Sequence, residues 1–297
     1  MAPPQMPELE GVTHSFPEAR GVRFHVAEAG EGEPLVLLHG WPQNWWCWRK
    51  VIPRFVDAGY RVVAPDLRGH GWSEVARNGY EKDSFARDLI ALLDVLELER
   101  VQLIGHDWGA MTGFIACIES PDRIERFIST GMVHPFQEPS IGTVLGIWRL
   151  AYQLPLAAPL VGSNLVKHWS GFIPWVIRTG LARKDALGER DFELYAEACD
   201  PHAMQGVYRS FLMHDLPAIA AGRYRRRMTV PTRFVIGDRE PLISADNAGG
   251  FEKYADDMEL VVFENVSHFV PEEAPDELVR LARSFLRPAR ARAAPAT

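Results

Sequence analysis

Residues 101–110 read Val-Gln-Leu-Ile-Gly-His-Asp-Trp-Gly-Ala. A short apolar run that favours a β-strand leads into a Gly-x-Asp-x-Gly turn, and residues 110–114 continue as a helix. Small residues at 105, 109 and 113 allow the strand to reverse sharply into a helix packed close beneath it, which places Asp107 at the apex. This pattern predicts a nucleophile elbow with a carboxylate in place of the usual serine. The alternative is an ordinary strand-turn-helix junction in which Asp107 is only a helix N-cap.

Length, charge and cysteine content define the general class of the protein. The chain has 297 residues and a formal net charge of −7, from 39 acidic and 32 basic residues. This length fits one large α/β domain or a core with an inserted second domain. The mildly acidic balance gives no indication of a nucleic-acid partner. Cys47, Cys117 and Cys199 show no metal-binding spacing, so we expect reduced thiols in a cytoplasmic protein.

Two segments were considered as targeting or membrane signals. Residues 1–10 are rich in proline and lack the basic start and apolar core of a secretory signal. Residues 141–162 are apolar almost throughout, but Arg149, Gln153 and two prolines interrupt the run that a membrane-spanning helix needs. We therefore expect short amphipathic helices that line an apolar cavity, and no membrane contact.

Alternating strand and helix patterns predict an α/β fold with a mostly parallel central sheet flanked by helices. The predicted strands are a hairpin within 12–30 and the segments 34–38, 61–66, 101–104, 124–130, 232–236 and 260–263. The predicted helices are 48–55, 84–98, 110–120 and 276–286. Between residues 136 and about 226 the pattern changes, because helical stretches occur there without a convincing strand.

This change of pattern predicts a helical insertion in the sheet. We assign residues 1–134 and 228–297 to the core and residues 135–227 to an inserted helical cap. A helical insertion between two parts of one sheet is best interpreted as a lid over the carboxyl edge of the strands, where open α/β sheets bind ligands. Asp107 lies at that edge.

A carboxylate nucleophile requires a base that later releases it. His268 follows the last predicted strand directly, so we expect it at the same edge as Asp107. The order nucleophile, acid, histidine is the one expected for this architecture. The loop after the preceding strand contains two carboxylates, Asp238 and Glu240, that are candidates for the acid that orients His268. Asp238 has an alternative role as a turn residue.

A third loop reaches the same edge at His39-Gly40-Trp41-Pro42. The backbone N–H groups of Trp41 and Trp108 are candidates for the oxyanion hole that such a site requires. The alternative is a plain strand-to-helix turn.

These motifs resemble a known family. The core resembles the α/β-hydrolase fold, and His39-Gly40-Trp41-Pro42 together with Gly105-His106-Asp107-Trp108-Gly109 resembles its epoxide hydrolase and haloalkane dehalogenase branch, most closely the microbial epoxide hydrolases. The resemblance covers roughly residues 20–135 and 228–287, and matches the cap more loosely. It implies that Glu240, three residues beyond a glycine, is the acid.

The choice of aspartate over serine indicates the reaction. A carboxylate can displace a leaving group at saturated carbon and form an alkyl ester, which water activated by His268 then hydrolyses. Serine attacking the same carbon would form an ether that this step does not cleave. Asp107 therefore argues against an ordinary esterase.

The leaving group is less clearly indicated. An epoxide needs a proton donor for its oxygen, which the resemblance assigns to two cap tyrosines. Tyr208 matches the second, whereas Trp148 stands where the family has the first, and Tyr152 is one helical turn away. An indole N–H donates a hydrogen bond but does not readily give up its proton. We predict an epoxide hydrolase with Asp107, Glu240, His268 and Tyr208 as catalytic residues, and Trp148 and Tyr152 in the pocket.

Two alternatives remain open. A haloalkane dehalogenase would use the same nucleophile with Trp108 and Trp148 as halide donors, but Trp41 stands where one dehalogenase group has its halide-binding asparagine. A non-catalytic ligand-binding protein would have an incomplete triad, which this sequence does not show. The resemblance implies a small hydrophobic epoxide and water as partners, and no cofactor or metal. A homodimer is compatible with the sequence.

Overall fold

The computed structural model of the protein describes residues 4–136, 138, 153–158, 161–241, 243 and 248–287. Strands within these ranges are β1 (Val12–Ser15), β2 (Glu18–Ala19), β3 (Val22–Arg23), β4 (Val26–Ala29), β5 (Glu33–Leu38), β6 (Tyr60–Pro65), β7 (Val101–His106), β8 (Ile124–Thr130), β9 (Thr232–Gly237) and β10 (Met258–Phe263). Eight of them form one sheet in the order β1-β4-β6-β5-β7-β8-β9-β10. The predicted fold class is confirmed.

The sheet is parallel from β6 to β10 and antiparallel at its amino-terminal edge. The hairpin predicted within residues 12–30 is the pair β1 and β4, and the short β2–β3 hairpin is nested between them. At the centre, every residue of β7 is buried. This burial explains its almost continuously apolar sequence, because helices cover both faces of a parallel sheet.

Helices pack on the sheet and between its two parts. Those described are α1 (Ile52–Asp57), α2 (Lys82–Val95), α3 (Trp108–Glu119), α4 (Gln153–Ala157), α5 (Val161–His168), α6 (Phe172–Thr179), α7 (Glu189–Glu197), α8 (Pro201–Ser210), α9 (Leu216–Ala220), α10 (Val270–Glu273) and α11 (Pro275–Phe285).

The predicted helix 48–55 is wrong in its bounds. A 3₁₀ turn spans Trp45–Trp48, and α1 begins only at Ile52. Asn44 caps the 3₁₀ turn through the Trp46 N–H, and Pro53 lies in the first turn of α1. Because proline has no N–H for a helix bond, it favours a new helix start over the continuation of an existing one.

The described residues between β8 and β9 contain helices and no strand, as the sequence predicted. A five-residue π-helix, Phe211–Asp215, lies between α8 and α9. Most of the apolar segment 141–162 lies outside the described residues. Within the described ranges, no helix has both the length and the apolar character needed to cross a bilayer. Cys47, Cys117 and Cys199 are all free thiols.

Two adjacent buried glutamates on α10 attach this helical insert to the core. Tyr195 of α7 donates its hydroxyl to Glu272 Oε1 at 2.6 Å. Glu273 Oε2 accepts the backbone N–H of Ala182 at 2.6 Å, and its Oε1 accepts that of Ser267 at 3.1 Å. Since Ser267 directly precedes His268, the loop that carries His268 is held on the same carboxylate as the insert.

Candidate active site

Asp107 occupies the turn between β7 and α3 with φ 51° and ψ −120°. Residues other than glycine rarely adopt a positive φ, and such strain persists only where surrounding structure enforces it. The enforcing contacts are close, because a Cβ on Gly109 would lie 2.2 Å from the Leu38 carbonyl oxygen, and one on Gly105 would lie 2.6 Å from the Gly109 oxygen. Asp107 occupies the N-cap position of α3, but its side chain makes no capping hydrogen bond to the helix.

The two oxygens of the Asp107 carboxylate have different surroundings. Oδ1 accepts the backbone N–H of Trp41 at 2.9 Å, whereas Oδ2 lies 3.7 Å from His268 Nε2. Burial raises the pKa of Asp107 to about 6, against the stabilising effects of His268, of the Trp108 and Trp41 amides and of Lys82. The amides of Trp41 and Trp108 therefore both favour the charged carboxylate. These are the two N–H groups that the sequence predicted for the oxyanion hole.

His268 connects this carboxylate to a second one. Its Nδ1 lies 2.9 Å from Glu240 Oε2, and the Glu240 side chain is fully buried. Burial alone would lower the pKa of His268, but the charge and hydrogen bond of Glu240, followed by the charge of Asp107, raise it to about 9. The free site therefore contains a protonated imidazole between two carboxylates.

The structure separates the two candidate acids. Asp238 Oδ1 accepts the Val266 N–H at 3.3 Å, and the Asp238 side chain is more than one-third exposed. Of these two carboxylates, only Glu240 contacts His268. Asp238 instead closes the turn after β9, which is the role of a loop-capping carboxylate.

Backbone contacts fix the position of His268. Its N–H donates to the Gly180 carbonyl of the insert at 3.1 Å. A Cβ on Gly180 would lie 2.7 Å from the Phe269 ring, so this approach between insert and core depends on glycine. His268 is therefore positioned by the insert as well as by its own loop.

A second buried histidine, His106, packs against the ring of His268. The His106 ring lies 5.1 Å from the His268 ring, and its Nδ1 lies 3.1 Å from the Thr130 hydroxyl. Because that hydroxyl donates to the Gly105 carbonyl at 3.2 Å, His106 Nδ1 is the donor to it. Burial, and then the charge of His268, place the pKa of His106 well below its usual value, so the ring is neutral. Sequence reasoning did not single out this contact.

An aromatic cluster packs around Trp41 and Trp108, the two residues whose backbone amides act on Asp107. Tyr208 of α8 is buried, and its ring lies 5.1 Å from the Trp41 ring and 6.0 Å from the Trp108 ring. Phe211 of the π-helix lies 4.9 Å from Trp108. The structure thus brings Tyr208 to the same place as the oxyanion-hole residues. The predicted pocket residues Trp148 and Tyr152 lie outside the described residues.

The pairing of Lys82 with Asp215 close to Trp108 was not predicted from the sequence. Lys82 is fully buried, and its ammonium lies 4.3 Å from the centroid of the Trp108 ring and 3.4 Å from Asp215 Oδ2. No local signal pairs Lys82 with a carboxylate 133 positions away.

Across the described part of the chain, no cluster of three or more histidine, cysteine or acidic side chains is arranged to hold a metal ion.

Comparison with known proteins identifies relatives along most of the chain. A family model described as the alpha/beta hydrolase fold matches residues 33–275. The chain is 30% identical over 307 aligned residues to the soluble epoxide hydrolase of Corynebacterium sp. (strain C12), with 94% of this chain and 99% of that protein covered.

Solved structures show the same likeness. Cfl2 from Burkholderia cenocepacia superposes with a TM-score of 0.82 at 27% identity, covering 95% of this chain and 98% of that one. Epoxide hydrolase VrEH1 from Vigna radiata superposes with a TM-score of 0.80 at 26% identity, covering 94% of this chain and 99% of that one.

Proposed function

Since this chain is a hydrolase that belongs to the alpha/beta hydrolase fold family, we propose that it opens an epoxide to a vicinal diol through a covalent ester on Asp107. One observation carries the proposal: Asp107 presents one oxygen to the Trp41 amide and the other to His268, which is itself paired with Glu240. The relatives named epoxide hydrolases support the substrate class. Since the chain is an enzyme, we set aside the non-catalytic alternative.

In the first step, Asp107 Oδ2 attacks an epoxide carbon. A bond forms between that carbon and Oδ2, and the carbon–oxygen bond of the ring breaks. The alkoxide that results takes a proton from the Tyr208 hydroxyl, as general acid catalysis requires for a poor leaving group. Oδ1 stays on the Trp41 amide and becomes the carbonyl oxygen of the ester.

Formation of the ester changes His268 as well. The negative charge of Asp107, one of the influences that raise the pKa of His268, is lost when Oδ2 is alkylated. His268 then releases its proton, which returns to the Tyr208 phenolate, and becomes a neutral base. Alkylation itself therefore prepares the base for the second step.

In the second step, His268 takes a proton from water and the resulting hydroxide attacks the ester carbonyl carbon. The developing oxyanion lies at Oδ1, where the amides of Trp41 and Trp108 stabilise it. The bond between the carbonyl carbon and Oδ2 breaks, and the proton of the added hydroxyl passes to Oδ2, which leaves in the neutral diol. Asp107 is regenerated with one oxygen from water, and His268 is again protonated beside Glu240.

A single-turnover reaction in ¹⁸O-labelled water tests this mechanism. With enzyme in excess over a styrene-oxide-like substrate, the first diol should carry unlabelled oxygen from Asp107, and the peptide that contains Asp107 should gain the label. Many turnovers in the same water should give labelled diol and serve as the control. Label entering the diol in the first turnover would show direct attack by water and overturn the proposal.

A haloalkane remains a second candidate substrate because of the indole groups near Asp107. Nε1 of Trp108 is buried without a hydrogen-bond partner among the described residues. Halide ions are stabilised by such N–H donors. Assays of halide release and of diol formation on matched substrates separate the two, and faster halide release would favour the dehalogenase.

We further propose a small hydrophobic epoxide as the substrate. The described wall around Asp107 consists of the rings of Trp41, Trp108, Tyr208 and Phe211. Such a wall favours apolar substituents and excludes the bulk water that would compete with Asp107. A series of epoxides of increasing polarity at similar size should show falling kcat/KM.

A further inference from the structure

Lys82 is a buried ammonium with a complete set of acceptors. The residue is 0% exposed and is the first residue of α2. Its Nζ donates to the Tyr80 carbonyl at 3.1 Å and to Asp215 Oδ2 at 3.4 Å, and lies 4.3 Å from the centroid of the Trp108 ring. A carbonyl, a carboxylate and an aromatic face are all partners that favour a cation. Burial lowers the pKa of Lys82, and these partners, above all Asp215, oppose that effect and favour its charged form.

The partner carboxylate comes from the helical insert. Asp215 is buried at the end of the π-helix Phe211–Asp215, and its Oδ1 also accepts the backbone N–H of Lys82 at 3.0 Å. The same π-helix supplies Phe211, which packs on Trp108. π-Helical turns within helices occur often at functional sites. Here the turn brings one charged and one aromatic side chain to the residue that follows Asp107.

We infer that Lys82 is a positioning residue for Asp107: its ammonium, held by Asp215, fixes the Trp108 ring next to the nucleophile and supplies the positive charge that keeps the buried carboxylate ionised. Asp107 must be charged to attack carbon, yet its burial opposes charge. A cation behind Trp108 offsets this cost without touching the substrate.

The charged groups around the pair are few. His268 and Lys82 are the cations that act on Asp107, together with the amides of Trp108 and Trp41. Lys82 in turn faces Asp215, Asp107 and Glu81, and its charge also acts on the neutral ring of His70. Because His268 changes its protonation during the reaction, Lys82 is the constant positive charge at the site.

The decisive experiment replaces the whole pair. Lys82→Met alone would leave the Asp215 charge buried without its ammonium partner, which destabilises the fold. The double variant Lys82→Met/Asp215→Leu instead puts apolar side chains in place of both charges, an exchange that buried ion pairs often tolerate. Lys50→Met is the matched control, since Lys50 also joins core to insert, through the Ala186 carbonyl, and pairs with the buried Glu272.

The readout is the titration of Asp107, followed by ¹³C NMR of aspartate labelled at the side-chain carboxyl and assigned by comparison with Asp107→Asn. This readout needs no substrate, so it decides the role of Lys82 even if the proposed epoxide chemistry, on which that role rests, fails in the ¹⁸O test. We expect the ionised fraction of Asp107 at about pH 6 to fall about five-fold in the double variant, as a rise of about one unit in its pKa would give, and to stay unchanged in Lys50→Met.

The rate of ester formation provides the second measurement. In the double variant it should fall about five-fold at about pH 6 and approach the wild-type rate at about pH 8, where Asp107 is mostly ionised in both proteins. A folded double variant that titrates like the wild type would overturn the inference and leave Lys82 as a structural residue only. A rate loss that is equal at both pH values would overturn it as well.

Discussion

The backbone N–H of Trp41 donates to Oδ1 of Asp107 at 2.9 Å, so the two oxygens of this carboxylate are not equivalent before any substrate binds. Oδ1 is held by the hydrogen bond, and Oδ2 is left beside His268. In the proposed reaction this difference assigns each oxygen a fate: Oδ2 leaves in the product, and Oδ1 becomes the oxyanion. The chemistry can then be tested one residue at a time.

Replacement of His268 by glutamine should stop the reaction at the ester. Asp107 keeps its amide hydrogen bond in this variant, so the first step still occurs, but no base activates water for the second. Mass spectrometry of the variant after incubation with epoxide should show one added substrate mass on the peptide that contains Asp107. Asp107→Asn should remain unmodified under the same conditions. An unmodified His268→Gln protein would contradict the two-step scheme.

Glu240→Gln and Asp238→Asn form a matched pair for the acid. Glutamine keeps the size of Glu240 but removes the charge that raises the pKa of His268 and orients its ring. We expect kcat to fall about 10²–10⁴-fold in Glu240→Gln, with ester accumulation, and less than about three-fold in Asp238→Asn. Rapid-quench measurement of both steps checks this, and the reverse order of the two losses would assign the acid to Asp238.

The pH dependence of ester formation should follow Asp107. Its pKa is raised to about 6 by burial, so the carboxylate is protonated and inactive below that pH and ionised above it. The rate of ester formation should therefore fall as pH is lowered through about 6, far above the ordinary range of an aspartate. Stopped-flow tryptophan fluorescence at constant ionic strength measures it. If the rate of ester formation fell near pH 4 instead, this result would show that Asp107 is not desolvated in solution.

The second step should respond differently to pH. In the free protein the pKa of His268 is raised to about 9, partly by the charge of Asp107. Because alkylation removes that charge, hydrolysis of the ester should need His268 to lose its proton at a pH below 9. If the rate of ester hydrolysis instead rose only at about pH 9 or above, this result would contradict the proposed activation of His268.

Tyr208→Phe separates the two leaving groups. Phenylalanine retains the ring that packs on Trp41 and Trp108 but has no hydroxyl proton to donate. Epoxide opening should slow about 10²-fold, whereas halide displacement, which needs no proton, should change less than about three-fold. Rates of diol formation and of halide release by the same variant provide the comparison. An equal loss in both would indicate that Tyr208 acts through packing.

Gly109→Ala should destabilise the elbow. The added Cβ would lie 2.2 Å from the Leu38 carbonyl oxygen, which is backbone and cannot move aside easily. We expect the free energy of unfolding to fall by about 1–3 kcal/mol, with loss of activity. Gly249→Ala is the control, because its Cβ would meet no atom within 4 Å. Urea unfolding measures the free energy of unfolding of both variants. Equal values would show that the elbow is less constrained than its contacts indicate.

Much of this arrangement was readable from the sequence because it depends on local signals. Small residues around Asp107 predicted the elbow, and the position of His268 after the last strand predicted the sheet edge at which it lies. The carboxyl ends of parallel strands share one edge, so elements distant in sequence were placed together correctly.

Other features depend on tertiary contacts that local patterns do not encode. Asp238 and Glu240 are two positions apart, and only the path of the loop decides which carboxylate meets His268. The pairing of Lys82 with Asp215 depends on how the insert packs on α2. Pro53 carried a local signal for the late start of α1, but the apolar run around it suggested a single helix.

The attachment of the insert by Glu272 and Glu273 limits how this enzyme can be recombined with its relatives. A chimaera that takes its cap from another hydrolase would need hydroxyl and amide donors where Tyr195 and Ala182 now meet these glutamates. Without them, two buried carboxylates would lose donors four and five residues after His268. Cap and core are therefore not interchangeable modules, and directed evolution that shuffles them should treat α10 as part of the cap.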